Sequence, residues 1–234
     1  MKNNKKLSTL AYVPLDLPKI KVPYSDLIKL FNSQGQAHYP YPSLWHSITV
    51  TGNIKNFQDP IECDTAWKNR YSITTKSIKL NPFIPYNILK ILLKQISALP
   101  YKVCMFSQIL SQQTEIPPHK DGPYKNKNCL KMALKENPID FSEQPEPAGL
   151  KILLSHTSVS SLYVCKTVKS RRQFIRLPKN TTSFALNERT FFHGAKAPKK
   201  SKFILSTFGI IDKNRHKNLM KKSLRRYGDK AIWF

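Results

Sequence analysis

Acidic side chains are scarce in this sequence, and their scarcity is its most unusual global property. Fourteen Asp and Glu residues stand against 39 Lys and Arg, which gives a formal net charge of +25. An AT-rich coding sequence favours Lys, but it favours Asp and Glu as well, so codon bias does not account for the missing acids. A positive field of this size attracts polyanions, which leaves two interpretations: the basic surface contacts a nucleic acid or a ribonucleoprotein, or the charge serves solubility alone.

Cysteines and long apolar runs are also few. The four cysteines lack the paired spacing of a zinc site and the density of a disulfide scaffold: Cys63, Cys104, Cys129 and Cys165. Prolines and an aspartate interrupt the residues that follow the charged N-terminus before an apolar run develops. We therefore predict neither a signal peptide nor a membrane span, and we expect a reducing, cytoplasmic setting with no membrane partner.

The first hundred residues predict an extension and supporting helices. Prolines divide residues 1–23, which predicts an arm around the core instead of a helix or a central strand. Residues 24–31 have the apolar spacing of a short helix, and residues 81–99 have that of a longer one. Residues 47–51, after an aromatic and proline-rich segment, resemble a strand.

From Tyr101 the hydrophobic pattern changes from helical to strand-like. Nine short apolar segments separated by turns predict strands: 101–110, 114–119, 128–134, 149–155, 160–168, 172–177, 182–187, 190–194 and 202–211. Prolines place residues 136–148 in a loop. This pattern predicts a mainly β fold, a jelly roll of the cupin kind with flanking α-helices. The predicted organisation is one compact unit with an N-terminal part (1–100), a β core (101–212) and a basic C-terminal helix (213–234).

Two histidines and an aspartate form a candidate metal site. Residues two apart in an extended strand point to one face, so His119 and Asp121 can offer an imidazole and a carboxylate to the same ion. His193 supplies a second imidazole. This set leaves coordination positions open, as Fe(II) requires when it binds a bidentate co-substrate and dioxygen. Zinc takes the same ligands in hydrolases, but the flanking Glu115 and Glu188 do not match the general base of a helix-borne hydrolase motif.

The other four histidines are not predicted to be ligands. His38 and His46 lie beside Trp45, where packing and hydrogen bonding are the expected roles. His156 and His216 have no partner at ligand spacing and are predicted to be surface or core residues.

The order of these motifs resembles that of the oxygenases that use Fe(II) and 2-oxoglutarate on a double-stranded β-helix. The similarity covers residues 101–212: His119-x-Asp121 after a strand, Asn187–Gly194 several strands later, Lys202 opening the last strand, and Gly209–Asp212 closing it. The resemblance implies that His119, Asp121 and His193 bind the iron.

The resemblance also implies a binding site for 2-oxoglutarate. Lys202 stands where the family usually keeps Arg or Lys to bind the far carboxylate of this co-substrate. A lysine is a point charge, so we expect a hydroxyl to assist, and Ser206 has the same parity along the strand. Some relatives take the lysine from the strand after the His-x-Asp motif, which here nominates Lys131.

By the same resemblance, the chain is a dioxygenase that consumes 2-oxoglutarate and O2 and hydroxylates a C–H bond. The contexts of His119 and His193 look most like the aspartyl/asparaginyl β-hydroxylase-like group, which implies a protein or ribonucleoprotein substrate. One alternative is an AlkB-like oxidative demethylase acting on nucleic acid, although such enzymes usually keep arginines on the last strand and residues 204–211 have none. The other is a non-catalytic, metal-binding, cupin-like interaction protein.

The basic tail predicts an amphipathic helix over residues 212–227. A solvated helix packed against the β core is one interpretation. The other is that its cationic face docks on phosphates, through Lys221, Lys222, Arg225 and Arg226.

Overall fold

The fold is mainly β, with two antiparallel sheets and three α-helices in the part of the chain that the structure describes. The structure is a computed structural model, and it describes residues 7–34, 36–38, 45–52, 79–121, 144–155 and 161–234, without the side chains of 36–38 and 45. No helix within these ranges is both long and apolar enough to cross a membrane.

The described strands are, in chain order, β1 (Leu10–Pro14), β2 (Gln36–His38), β3 (Trp45–Gly52), β4 (Lys79–Leu80), β5 (Tyr101–Gln112), β6 (Ile116–His119), β7 (Gly149–Leu153), β8 (Leu162–Cys165), β9 (Gln173–Phe174), β10 (Ser183–Leu186), β11 (Phe192–Ala195), β12 (Lys202–Ile211) and β13 (Ile232–Trp233). Nine of them form the larger sheet, in the order β13-β1-β10-β7-β12-β5-β3-β2, with β4 paired to β3. The smaller sheet has the order β6-β11-β8-β9.

Helices cover one face of the larger sheet. These are α1 (Tyr24–Gln34) and α2 (Tyr86–Ala98). Leu27 and Phe31 of α1 and Leu92 of α2 belong to the same buried cluster as Phe203 and Leu205 of β12. Because side chains alternate along a strand, Ile204 and Ser206 point to the opposite face, toward the smaller sheet. The larger sheet therefore has one apolar face for the helices and one face available to a site.

The C-terminal helix α3 (Lys213–Tyr227) begins at a side-chain cap. Asp212 Oδ1 accepts hydrogen bonds from the backbone amides of Asn214 and Arg215, which satisfies two amides that lack partners at a helix start. The helix buries His216, Met220, Ser223 and Tyr227. The amphipathic tail helix is therefore confirmed, with a polar contact from His216 Nε2 to the carbonyl of Pro147 at 3.0 Å.

The expected arm at the start of the chain is wrong for residues 10–14. This segment forms β1, which pairs with β10 on one side and β13 on the other. The prolines of residues 1–23 led us to predict no central strand there. Pro14 is the last residue of β1, however, and the residues before it can donate backbone hydrogen bonds to the sheet. Both flanking partners lie about 170 to 220 residues further along the chain, so no local pattern reveals them.

Most of the other predicted elements are confirmed. The helix predicted over 24–31 extends to Gln34, and the one predicted from Asn81 begins at Tyr86, after a turn. Eight of the nine strand segments contain a strand. The ninth, 128–134, lies outside the described residues, as does most of the loop 136–148. Cys104 and Cys165 are free thiols, while Cys63 and Cys129 fall outside the described ranges.

Candidate metal centre

The two histidines face each other across neighbouring strands of the smaller sheet. His119 ends β6 and is the cross-strand partner of His193 on β11. Directly paired residues project to the same side of a sheet, and the two ring centroids are 4.3 Å apart. Asp121 follows β6, and its backbone amide donates to the carbonyl of Glu188 at 3.0 Å, which holds the turn in place. The sheet register thus brings together the three residues that the sequence predicted.

One carboxylate oxygen lies within reach of both imidazoles. Asp121 Oδ1 is 3.2 Å from His119 Nε2 and 3.5 Å from His193 Nε2. Within the described residues, these three side chains form the one group of His, Cys, Asp and Glu that could hold a metal ion. His193 is largely buried, whereas about a third of His119 and of Asp121 is exposed. The site therefore has a buried side and an accessible side.

The protonation states suit a divalent metal. His119 Nδ1 lies 2.9 Å from the carbonyl of Pro117, so we assign the proton to Nδ1 and the lone pair to Nε2, which faces Asp121. Burial lowers the pKa of His193 to about 3, which keeps this imidazole neutral. Burial opposes ionisation of Asp121, but the neighbouring His193, His119 and Lys151 favour the carboxylate and bring its pKa well below the usual range. Burial lowers the pKa of His119, but Asp121 raises it by more, so this imidazole gives up a proton when a metal binds. The donor set in that state is two neutral imidazoles and one carboxylate.

Lys151 is a residue of this site that the sequence reasoning missed. It lies on β7, and its Nζ donates to Ser206 Oγ at 2.9 Å and lies 3.0 Å from Glu188 Oε2 and 3.7 Å from Asp121 Oδ2. Burial, opposed by Lys151 and assisted by Asp121, raises the pKa of Glu188 to about 7. Gly149 makes room for this arrangement, because a Cβ there would meet the Glu188 carboxylate at about 2.4 Å.

A cavity of about 170 Å³ opens beside the triad, between the two sheets. Its polar lining comes from the triad and from Gln108, Gln112, Lys151 and Ser206, and its apolar lining includes Leu110, Leu162, Phe184 and Ile204. Ser206 thus lies in the same cavity as the triad. The cavity combines a set of potential metal ligands with a cation and a largely apolar wall.

Lys202 lies at the end of β12, on the face that Ile204 and Ser206 present to the cavity. Its cross-strand partner is Gln112, which lines the cavity, although Lys202 itself does not. The side chain is 0% exposed, and its Nζ donates a short hydrogen bond to Ser161 Oγ. Burial lowers the pKa of Lys202 to about 8. Ser206, which we expected to assist Lys202, is bonded to Lys151 instead, and the hydroxyl beside Lys202 is that of Ser161.

The remaining candidates lie away from the triad or outside the described residues. His46 is on β3, and His216 is a core residue as predicted. Glu115 is mostly exposed and forms an ion pair with Arg172 at 3.4 Å. Lys131, His156 and the side chain of His38 are not among the described residues. The acids that flank the triad are therefore engaged with cations, and neither is an unpaired base.

The cationic face of α3 is partly used within the protein. Lys222 Nζ lies 3.1 Å from Asp16 Oδ2, and Arg226 lies 2.6 Å from Asp16 Oδ1. Asp16 is only 8% exposed, so the two cations neutralise a buried carboxylate. Lys221 and Arg225 remain exposed on the same helix.

No protein-family model matches the chain, and no curated protein is significantly similar to it. The function is therefore argued from the geometry of the site.

Proposed function

We propose that this protein is an Fe(II)- and 2-oxoglutarate-dependent dioxygenase that hydroxylates a C–H bond. The observation that carries the proposal is the meeting of His119, Asp121 and His193 at a cavity between two β-sheets. Two neutral imidazoles and one carboxylate are the ligands of non-haem Fe(II) oxygenases, in which positions remain open for the co-substrate and O2.

The strand order supports a double-stranded β-helix as the fold of the core. Of the eight described strands from β5 to β12, the smaller sheet contains β6, β8, β9 and β11, and the larger contains β5, β7, β10 and β12. Consecutive described strands therefore lie on different sheets at every step except β8 to β9. We propose that β5 to β12 are the eight strands of this jelly roll, which places the candidate ligands on the smaller sheet and Lys202 on the larger.

His119, Asp121 and His193 would hold the iron, which together with 2-oxoglutarate and O2 supplies the oxidising chemistry. The chain's own residues supply position and charge. The carbonyl of Pro117 fixes the tautomer of His119. Lys151 orients Asp121 and also neutralises a second carboxylate, that of Glu188. The apolar wall of the cavity excludes water from the reacting groups.

Lys202 is the proposed partner of the far carboxylate of 2-oxoglutarate. Its ammonium is buried beside Ser161, at the end of the cavity formed by Gln112, Leu162 and Ile204. A buried cation without an ionised partner is unfavourable, and an incoming carboxylate would neutralise it in a medium of low dielectric. Ser161 Oγ, which is bonded to this ammonium, would share the carboxylate.

For the substrate, we propose a side chain of a protein or ribonucleoprotein. A cavity of about 170 Å³ is smaller than the roughly 300 Å³ at which enclosed small-molecule pockets begin. Once the co-substrate is bound, only a small group can enter. A side chain projecting from a macromolecule meets this restriction, since the rest of the substrate stays outside.

The test is anaerobic titration of the protein with Fe(II) and 2-oxoglutarate. A visible charge-transfer band is expected from the wild type and from His46→Ala, a control histidine outside the triad, and no band is expected from His119→Ala or His193→Ala. Aerobic release of succinate should follow the same pattern. A band that persists in both triad variants contradicts the ligand assignment, and metal binding without any 2-oxoglutarate binding contradicts the dioxygenase and favours a non-catalytic metal protein.

A further inference from the structure

Three aromatic rings, each covered by a cation, lie along the smaller sheet. Lys120 Nζ is 4.9 Å from the ring centre of Phe192, the Arg172 guanidinium is 4.6 Å from that of Tyr163, and Lys196 Nζ is 4.9 Å from that of Phe174. We call these six residues the aromatic–cation strip. The proposed reaction uses none of them.

The strip lies on the reverse side of the sheet from the triad. Tyr163 is the cross-strand partner of Phe174 on one side and of Gly194 on the other, and Phe192 lies two residues before Gly194. These positions share a face, while His193 and its partner Val164 occupy the alternate face. Tyr163 packs over Gly194, where a Cβ would collide with its hydroxyl. The rings therefore run side by side from β11 across β8 to β9.

The turns beside the strip carry positive charge only. Residues 166–172 contain four Lys or Arg and residues 196–200 contain three, with no acid in either turn. Lys120 and Lys196 are exposed and have no acidic partner among the described residues, while Arg172 is paired with Glu115 at 3.4 Å. Phe174 and Phe192 are half-buried, whereas Tyr163, between them, is 1% exposed beneath Arg172. The accessible rings are therefore Phe174 and Phe192. The surface offers cations for phosphates and rings for bases.

We infer that the aromatic–cation strip binds a single-stranded nucleic acid. Aromatic rings within a cationic groove are the features by which proteins hold unpaired strands, because phosphates attract the cations and every base has a face that can stack. A lysine that leaves its ring for a phosphate exposes that ring to a base. An acidic protein would use the cations but would leave the rings without a planar partner.

The position of the strip connects it with the candidate metal centre. Lys120 stands between His119 and Asp121 in sequence, and Phe192 directly precedes His193. A single-stranded nucleic acid bound to the strip would pass behind β6 and β11, the two β-strands that carry the triad histidines. Such binding would hold a ribonucleoprotein against the protein, but it needs neither the metal nor the proposed reaction.

The strip competes with α3 as the nucleic-acid surface. Lys222 and Arg226 of α3 are already bound to Asp16, and the ring that Arg226 covers, that of Tyr227, is buried, whereas Phe174 and Phe192 of the strip are half-buried beside exposed lysines. The strip instead presents rings and cations on the same face. Exposed Lys221 on α3 therefore provides a matched charge control for exposed Lys196 on the strip.

The test is fluorescence anisotropy of the full, metal-free chain with a labelled 12-nucleotide oligouridylate over a range of KCl concentrations. We expect log affinity to fall linearly with log salt, by about 0.7 for each phosphate contacted. Lys196→Gln should reduce this slope by about 0.7, and Lys221→Gln should leave it unchanged. Phe174→Leu, which keeps an apolar side chain, should weaken binding by about 5- to 100-fold without changing the slope.

Several outcomes would overturn the inference. No binding at 50 mM KCl excludes it, and equal binding of duplex RNA or of polyglutamate assigns the surface to a duplex or to an acidic protein. If Lys221→Gln reduces the salt-dependence slope by as much as Lys196→Gln does, the contact lies on α3 or depends on net charge alone. The binding assay contains EDTA, so it does not depend on the metal. A failure to bind the oligouridylate therefore leaves the dioxygenase proposal intact, and a failure to form succinate leaves this inference intact.

Discussion

Replacing Lys202 by methionine should stabilise the free protein while removing co-substrate binding. Lys202 is fully buried, and its one hydrogen bond among the described residues goes to Ser161 Oγ. Ile204, which shares the face of Lys202, and Leu162, which follows Ser161, are apolar, so the surroundings suit an apolar side chain of similar length. A positive charge in such a place lowers the stability of the fold and is retained when it has a function.

The magnitude follows from the pKa of Lys202, which burial lowers from 10.5 to about 8. This difference corresponds to about 3 kcal/mol of unfavourable free energy for the charged side chain, and it applies fully below pH 8. We expect Lys202→Met to raise the free energy of unfolding at pH 7 by about 2 kcal/mol, after the lost hydrogen bond is subtracted. The corresponding rise in Tm is about 4 to 8 °C for a chain of this length.

The pH dependence gives a second, independent sign. Between pH 8 and 10.5 the unfolded chain binds the Lys202 proton more tightly than the folded protein does, so wild-type stability rises with pH relative to the variant. The advantage of Lys202→Met should therefore shrink as the pH rises from 7 to 9.5. Urea unfolding at both pH values measures it, with exposed Lys200→Met as the control, for which we expect a change within about 0.5 kcal/mol.

Two results would refute this reasoning. If Lys202→Met destabilises the protein at pH 7, the ammonium is part of a favourable structural network. If the variant is more stable but binds 2-oxoglutarate as tightly as the wild type, the charge serves another ligand. Lys131→Met is the comparison in that case, since the sequence offers it as the alternative residue for the far carboxylate.

Three further predictions concern the triad, its supporting lysine and the clamp on α3. His193→Leu should change the stability of the metal-free protein by less than about 1 kcal/mol, but it should abolish the stabilisation by Fe(II) or Mn(II). In the wild type this stabilisation is about 2.7 kcal/mol at one hundred times the dissociation constant, and it is measured as an increase in Tm in anaerobic thermal melts. An equal increase in the variant excludes His193 as a ligand. Lys151→Met should destabilise the protein by about 2 to 4 kcal/mol, because Asp121 and Glu188 lose a shared cation. In a double-mutant cycle measured by urea unfolding, adding Glu188→Gln should restore part of this loss. Additive losses would show that Lys151 and Glu188 are not coupled. Asp16→Asn should cost about 1 to 2 kcal/mol at pH 7. Burial raises the pKa of Asp16, but Lys222 and Arg226 lower it by more, so this difference should shrink only as the pH falls through the lowered pKa, below the usual carboxyl range. A loss that is as large at pH 2 as at pH 7 would indicate packing and not charge.

The triad was predictable mainly from the spacing of its residues. The two-residue period of a strand suggested that His119 and Asp121 share a face. In the structure β6 ends at His119, and Asp121 lies in the bend after it, where its amide donates to the carbonyl of Glu188. The position of His193 depends on a pairing between β6 and β11, which the sequence indicated only through the order of its motifs. Ser161, the hydroxyl beside Lys202, was not predictable in this way, since parity along β12 pointed to Ser206 and the real partner comes from the start of another strand.

The role of Lys151 and the position of β1 could not be predicted from the sequence. A lone cation within the apolar strand Gly149–Leu153 was the available signal for Lys151, because a buried charge requires a partner. Its partners Asp121 and Glu188 come from two other segments, so the network could not be written down without the fold. β1 is specified by β10 and β13, and pairings over such separations leave no periodic trace.

Polar groups that destabilise this fold lie at the triad, beside Lys151 and opposite the cavity-lining Gln112, and their concentration supports the proposed functional site. His193 keeps a buried Nδ1 without a hydrogen-bond partner among the described residues, Lys202 keeps a buried ammonium, and Glu188 has a pKa of about 7. Each of these features lowers stability, and apolar side chains would serve a purely structural core better. A cation at the triad and a carboxylate beside Lys202 would each relieve an unfavourable buried group. The proposed metal and co-substrate would therefore account for both features together.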